Sequence, residues 1–365
     1  MVKARLRTAL GLMSGTSLDG IDAALIRSDG RDRVEPKAAL TRPYDAEFRA
    51  RLRATLGGQG DVAGVERDLT LRHAEVVKAL LGDAGLTAGA VEVIGFHGHT
   101  ILHAPHEHRT WQIGDGAILA AETGIDVVCD MRSRDMAEGG QGAPLASLYH
   151  RALAAALEAP LAILNVGGVA NLTWIGTGPD EILAFDTGPG NALLDDWVSR
   201  HTGRALDTDG ALARSGRVRG DVLGALLAHP YFAQEPPKSL DRDDFDPSPL
   251  SGLPAADGAA TLTAFTARGV AAALEHVPAP PKLWLVTGGG RHNPALMAAL
   301  RECLKVPVDP VESVGWDGDA LEAQAFAYLA LRSLDGLPLT VPGTTGVARP
   351  VTGGTLHKAA SRDGG

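Results

Sequence analysis

Apolar and polar positions along the chain fall into short blocks that predict an α/β protein. Leu6 to Leu12 is mostly apolar, the polar stretch Ser14-Gly15-Thr16-Ser17 follows, and Ile21 to Ile26 is apolar again. Two apolar runs around a glycine-bearing turn predict a β-hairpin. Residues 45–87 predict helix, because Leu52, Leu56, Leu69, Leu71, Val76, Val77, Leu80 and Leu81 recur at steps of three and four. Val91 to Phe96 predicts a buried strand, residues 116–124 a helix, and Asp126 to Cys129 another strand. A second round opens with a helix over Ala146 to Leu157. The run Leu161 to Val166 then breaks at Gly167-Gly168 and resumes from Val169 to Ile175, again strand, glycine turn, strand. Ile182 to Phe185 predicts a strand ending on Asp186, with helices at about 191–202 and 217–228. Residues 235–257, rich in Pro and Asp, read as a surface loop or a substrate-facing excursion. Thr261 to Leu274 predicts helix, Leu283 to Val286 strand, and Asn293 to Leu304 and Ala320 to Leu334 helix; the tail 336–365 reads as a surface segment.

Length and composition narrow this picture. A chain of 365 residues suggests two domains. The repeated hairpin suggests two similar lobes facing one cleft, with 1–129 plus 336–365 as the first lobe and 130–335 as the second. The net charge of -10 argues against a nucleic-acid partner. Cys129 and Cys303 are the only cysteines, too few for a disulfide framework and in keeping with a reducing, cytoplasmic location. No apolar run approaches the roughly 20 residues that span a bilayer, and Met1 to Leu12 reads as the lead-in to a strand rather than a signal peptide.

Four glycine turns carry the candidate chemistry. Ser14 to Ser17 offers backbone amides and hydroxyls suited to phosphate oxygens, and Asp19 and Asp22 add carboxylates for magnesium. No Gly-Lys-Ser/Thr ends this turn, so it is not a Walker A loop, and no helix follows as in a dinucleotide fingerprint. An ordinary polar turn remains the plain alternative. Asn165 to Asn171 repeats the layout as a candidate second phosphate clamp. Asp186, in Asp186-Thr187-Gly188-Pro189-Gly190-Asn191, lies where α/β proteins place chemistry, and the expected role is general base; the alternative is a helix cap. The helix from about Asn191 would aim its amides at an anion. Gly288-Gly289-Gly290 can press against adenine or ribose, with Pro294 opening the next helix. His97, His99, His103, His106 and His108 crowd together, but their spacing matches no standard zinc motif; His97 and the Gly98 backbone suit substrate contacts better. Gln112 to Gly116 and Asp130 to Asp135 are dense in donors, with Arg132 or Arg134 able to pair a carboxylate, or to hold an interdomain hinge. Lys238 and Arg242 form a basic spot that either reaches a phosphate or is solvated.

With these residues in view, the chain resembles the anhydro-N-acetylmuramic acid kinases nearly end to end. The motifs that carry the resemblance are Gly11 to Asp22, His97 to Thr100, Gln112 to Asp115, Arg132 to Pro144, Asn165 to Leu172, Asp186 to Asn191 and Gly288 to Pro294. The resemblance implies a two-lobed actin/hexokinase/Hsp70-like fold (ASKHA, ribonuclease H-like) with an interdomain ATP cleft. It implies ATP-dependent phosphorylation of 1,6-anhydro-N-acetylmuramic acid with hydrolytic opening of the anhydro ring, in cell-wall recycling. Asp186 falls on the catalytic aspartate. Gly15, Thr16, Ser17, Leu18, Asp19, Gly20, Ile21 and Asp22 fall on the ATP segment, joined by Asn165, Gly167, Gly168, Asn171, Gly288, Gly289, Gly290 and Asn293. His97, Gly98, Gln112, Asp115, Arg132, Gly188, Asn191 and Glu322 are the expected sugar contacts, and Asp19, Asp186 and Asp195 the candidates for Mg2+. A homodimer is expected from the resemblance alone. His99 stands where the family usually has Gln, Leu240-Asp241 where Thr-Gly is usual, and Asp246 where Asn is common. Another amino-sugar kinase of the same fold, or an actin-like or Hsp70-like ATPase switch, are the other readings.

Overall fold

The structure is a computed structural model and describes residues 5–240 and 244–360. Asp241 and Arg242, part of the expected basic loop, lie outside the described residues. The chain forms two compact units, residues 1–156 with 319–365, and residues 157–318. The sequence pattern drew these limits at 129/130 and 335/336. The difference arises because the segment after 130 and the helix after 320 pack with the N-terminal sheet.

In chain order, the first unit contributes β1 (Arg7–Ser14), β2 (Gly20–Ser28), β3 (Val34–Pro43), α1 (Ala46–Arg53), α2 (Val62–Asp83), β4 (Val93–Ala104), β5 (Arg109–Ile113), α3 (Gly116–Thr123), β6 (Val127–Cys129), α4 (Ser133–Ala137) and α5 (Ser147–Leu153). The second unit contributes β7 (Leu161–Val166), β8 (Val169–Ile175), β9 (Ile182–Pro189), α6 (Ala192–Thr202), α7 (Ala211–Ser215), α8 (Gly220–Leu227), α9 (Ala255–Ala272), β10 (Trp284–Thr287), α10 (Pro294–Leu304) and β11 (Val308–Pro310). The chain then completes the first unit with α11 (Leu321–Leu334), α12 (Pro342–Thr345) and β12 (Thr355–His357). The tail thus does more than lie on the surface, since β12 pairs antiparallel with β6 and extends the sheet.

The two sheets share a wiring. In the first, β1 pairs antiparallel with β2 and β2 with β3, while β4 lies parallel to β1 and β6 parallel to β4. In the second, β7, β8 and β9 form the antiparallel series, while β10 lies parallel to β7 and β11 parallel to β10. Both predicted hairpins therefore occupy the same place in their own sheet.

Alternation along β1 divides the first unit's core. Leu10 and Leu12 join Phe48, Leu69, Val77 and Leu80 in one buried cluster. The intervening Gly11 faces α11: a methyl there would overlap the Ala323 carbonyl oxygen. Gly95, opposite Gly11 in the β1–β4 register, meets the Phe326 carbonyl in the same way. Helix α11 is buried on nearly every side from Leu321 to Arg332, as an all-round small and apolar sequence dictates. Its polar groups are satisfied internally: Tyr149 Oη donates to Gln324 Oε1 at 2.7 Å, and Arg332 Nη1 to the Gly30 carbonyl at 2.9 Å. In the second unit, Leu164, Leu172, Trp174 and Phe185 of the sheet pack with Ala267, Val270, Leu296 and Leu300 of α9 and α10.

Candidate active site

The first glycine turn is built from inside the first unit. Leu18 N–H donates to the Gly15 carbonyl at 3.1 Å, and Leu18 adopts φ +63. The Leu18 and Ile21 side chains are buried in the core cluster, so only their backbone is available to a ligand. Gly20 is required because β3 passes so close that a side chain would strike the Arg42 carbonyl. The Ser14 hydroxyl, expected to point with its neighbours, is instead fully buried. It hydrogen-bonds Tyr44 Oη at 2.8 Å and His99 Nδ1 at 2.9 Å. Thr16, Ser17 and Asp19 are exposed. Asp22 is half-buried and accepts from Thr41 Oγ1 at 2.7 Å.

Four candidate sugar contacts form one cluster in this unit. Arg132 Nε and Nη2 approach His97 Nε2 at 3.1 and 3.0 Å, and Arg132 Nη1 donates to the Gly142 carbonyl at 2.6 Å. Arginine is only a donor, so His97 Nε2 accepts, and Nδ1–H must donate to the Gly98 carbonyl at 2.9 Å. Burial and the Arg132 charge hold the His97 pKa well below its usual value, which fixes the neutral ring this pairing needs. Phe326 of α11 stacks on the ring with centroids 4.6 Å apart. Glu322 lies in the first turn of the same helix. Loss of hydration and the Asp22 carboxylate raise its pKa, against the pull of Arg132, while the residue itself is exposed.

Other expected contacts have structural duties. Asp115 caps α3, accepting from Ala117 and Ile118 amides at 2.8 and 2.9 Å. Gln112 donates to Thr100 and Thr110 at 3.2 and 2.7 Å. Gly98 (φ +72) lies against the Ile113 carbonyl. Of the five clustered histidines, His97 and His99 are buried, His103 half-buried, and His106 and His108 exposed; burial lowers the His99 pKa to about 4. Among the described residues, no group of three or more His, Cys, Asp or Glu could hold a metal.

In the second unit, β9 runs past Asp186 to Pro189. Gly188 (φ +147) and Pro189 stay paired with Ala170 and Val169, so Asp186 lies within the strand and not at its end. The residue is 7% exposed and held at three points. Its amide donates to the Lys238 carbonyl at 3.1 Å, its carbonyl accepts from Tyr231 Oη at 2.5 Å, and its carboxylate Oδ2 accepts the Leu240 amide at 2.8 Å. Lys238 is buried rather than solvated. Its ammonium is buried over the Tyr231 ring at 4.9 Å and reaches the Tyr231 and Phe232 carbonyls at 3.3 and 3.4 Å. Desolvation lowers its pKa.

Three amides leading into α6 are engaged by the hairpin turn. Asn191 N–H donates to the Gly167 carbonyl at 2.7 Å, and Gly190 and Ala192 N–H to the Gly168 carbonyl at 2.9 and 3.2 Å. The hairpin turn and the β9–α6 turn are thereby locked together. Asn191 Nδ2 adds a bond to the Val166 carbonyl at 3.1 Å. The triple glycine packs on the end of β7: any side chain at Gly288 (φ +74) would strike Asn165 Oδ1, and one at Gly290 would meet the Val166 side chain. Asn293 caps α10, accepting from Ala295 at 3.0 Å. Asp195 lies in the first turn of α6 and Asn171 on β8, opposite Asp186 in register.

A family model described as anhydro-N-acetylmuramic acid kinase matches residues 7–359. The chain belongs to this kinase family. A Paramagnetospirillum magneticum protein of that name is 61% identical over 352 residues, covering 96% of this chain and 99% of its own. One from Rhodospirillum rubrum is 59% identical over 358 residues, covering 97% and 95%. In fold, the chain is similar to component A of (R)-2-hydroxyglutaryl-CoA dehydratase from Acidaminococcus fermentans, with TM-score 0.50, 14% identity, and coverage of 89% and 99%. The fold is thus the expected actin/hexokinase/Hsp70 type, and the protein is a phosphotransferase.

Three parts of this kinase escaped the sequence pattern. Tyr231 holds Asp186 from 45 residues away, a pairing that no local signal announces. His97 and Arg132 were both singled out, but not as partners. Arg291, directly after the triple glycine, donates to Glu312 at 2.8 Å and to the Gly288 carbonyl at 3.1 Å and so braces the turn. An arginine directly after a triple glycine is a signal that could have been read. Among the described residues, no helix is long and apolar enough to cross a membrane.

Proposed function

We propose that the protein transfers the γ-phosphoryl group of ATP to O6 of 1,6-anhydro-N-acetylmuramic acid while water opens the anhydro bridge, giving N-acetylmuramic acid 6-phosphate and ADP in cell-wall recycling. The observation that carries this reading is Asp186, a buried carboxylate clamped through backbone and Oδ2 in a chain of this family. Asp186 takes a proton from water as its oxygen bonds to C1. The C1–O6 bond breaks, and O6 attacks the γ-phosphorus as the bond to ADP breaks. Arg132 and Glu322 orient the sugar, with Arg132 suited to its lactyl carboxylate. The turns at Gly15 to Asp22, Gly167-Gly168 and Gly288 to Gly290 hold the nucleotide through backbone groups.

Magnesium fits the donors present. With no cluster of three ligating side chains among the described residues, the ion would be held by one or two of Asp19, Asp186 and Asp195 together with nucleotide phosphates, its usual mode. It would supply charge neutralisation for the phosphates. A cytoplasmic homodimer completes the reading; the unpaired Cys129 and Cys303 agree with a reducing compartment.

The test is an ADP-release assay with the anhydro sugar and with N-acetylglucosamine as acceptors, on wild type and Asp186→Asn. Only the anhydro sugar should turn over. The variant should fold and bind ATP, because an Asn oxygen can still accept from the Leu240 amide, but lose about 10²–10⁴ in kcat. Near-normal turnover of the variant would remove Asp186 as the base, and exclusive use of N-acetylglucosamine would remove the acceptor.

A further inference from the structure

At the end of the β1–β2 hairpin away from the glycine turn lies a groove of about 580 Å³, lined among others by Arg5, Arg7, Thr8, Arg27, Arg33 and Glu92. Four arginines line it in a chain of net charge -10, with Glu92 in the lining and Asp335 and Glu35 beside it. Two of them are held in place. Arg7 is bidentate to Asp335 at 2.9 and 2.7 Å, and Arg27 lies 3.5 Å from Glu35. Arg5 and Arg33 form no ion pair among the described residues and are exposed. Two exposed guanidinium groups without a direct carboxylate contact, beside two that are paired, leave donor capacity that an entering anion can use. All four cations are arginine, whose planar fork matches phosphate oxygens two at a time. Along β1, Arg7 in the groove and Ser14 are seven residue steps apart, about 23 Å at the strand rise, so one small ligand cannot touch both.

We propose that this groove is a second anion site, separate from the nucleotide turn, which takes a small multiply charged phosphate compound. A nucleic acid is the wrong size of partner, because the rest of the acidic surface repels a long polyanion. Arg7 and Asp335 tie the groove to both β1 and the end of α11, so occupancy bears on the two elements that carry the Ser14 turn and Glu322.

The probe is pyrophosphate, titrated calorimetrically into the full-length protein already saturated with a non-hydrolysable ATP analogue, which occupies the nucleotide turn. One further site is expected, weakening as salt rises because its charges are exposed. In the double variant Arg5→Gln/Arg33→Gln the affinity should fall about tenfold or more, the loss of two charge-assisted contacts, with sugar phosphorylation unchanged. No binding by wild type, or equal binding by the variant, overturns the proposal. So does parallel loss of turnover and binding, which would place the anion in the catalytic site.

Discussion

Glu322 is a carboxyl kept where charging it is unfavourable. Desolvation and Asp22 raise its folded-state pKa above the unfolded value, which lies near about 4.3. The sign follows from linkage: ionised Glu322 destabilises the fold at neutral pH, and the penalty fades as pH falls toward the unfolded pKa. Glu322→Gln should therefore unfold at higher urea than wild type at pH 7, with the gap closing toward pH 4, while sugar turnover falls. Lower stability of the variant at pH 7 would overturn this sign. The same scale shows why part of the site resists reading from sequence. Asp186, the glycine turns and Arg132 stand out by residue type. Whether a hydroxyl faces a ligand or the interior does not, and Ser14 faces Tyr44 and His99.

Among elements, the depth at which α11 seats on the sheet is set by Gly11 and Gly95. Gly11→Ala would force the Ala323 carbonyl away and should cost at least the upper end of the roughly 1–3 kcal/mol seen for overpacked cores. Gly82 is the control: it lies in α2 with nothing within 4 Å of an added methyl, and Gly82→Ala should stabilise by about 0.5–1 kcal/mol. Thermal unfolding of both variants checks the pair; similar melting temperatures would mean that α11 can slide. The longer helices and central strands were legible because their apolar period is strong, but 45–87, expected as one helix, is α1 and α2, α9 begins at Ala255 inside the expected loop, and the short α4, α7 and α12 show no period. β3 was not, since it is mostly exposed and carries Lys37 and Arg42, the pattern of an edge strand rather than a half-buried one. β5 carries mostly polar residues and buries only Ile113, and β11 and β12 span three residues each, too few to show a period. β9 was read three residues short because Gly188 and Pro189 look like a turn in sequence but continue the ladder.

For the molecule as a whole, the repeated hairpin was the most informative feature of the sequence, because it marks the same position in two sheets of the same wiring. Its limits were less legible: helix type can be read locally, but not which sheet a helix covers. The second unit is one uninterrupted stretch, 157–318, with its own buried clusters. Expressed alone, it should give a cooperative unfolding transition by circular dichroism, whereas a chain stopped at 318 should leave the first unit incomplete. A non-cooperative melt of 157–318 would refute its independence. The late arrival of α11 also has a consequence for birth on the ribosome. The bare stripe at Gly11 and Gly95 is made early, and the helix that covers it emerges only after some two hundred further residues have been added. During that interval the N-terminal sheet has a naked face, and the nascent chain depends on the middle segment closing quickly, or on a chaperone shielding that face, to reach its last helix unaggregated.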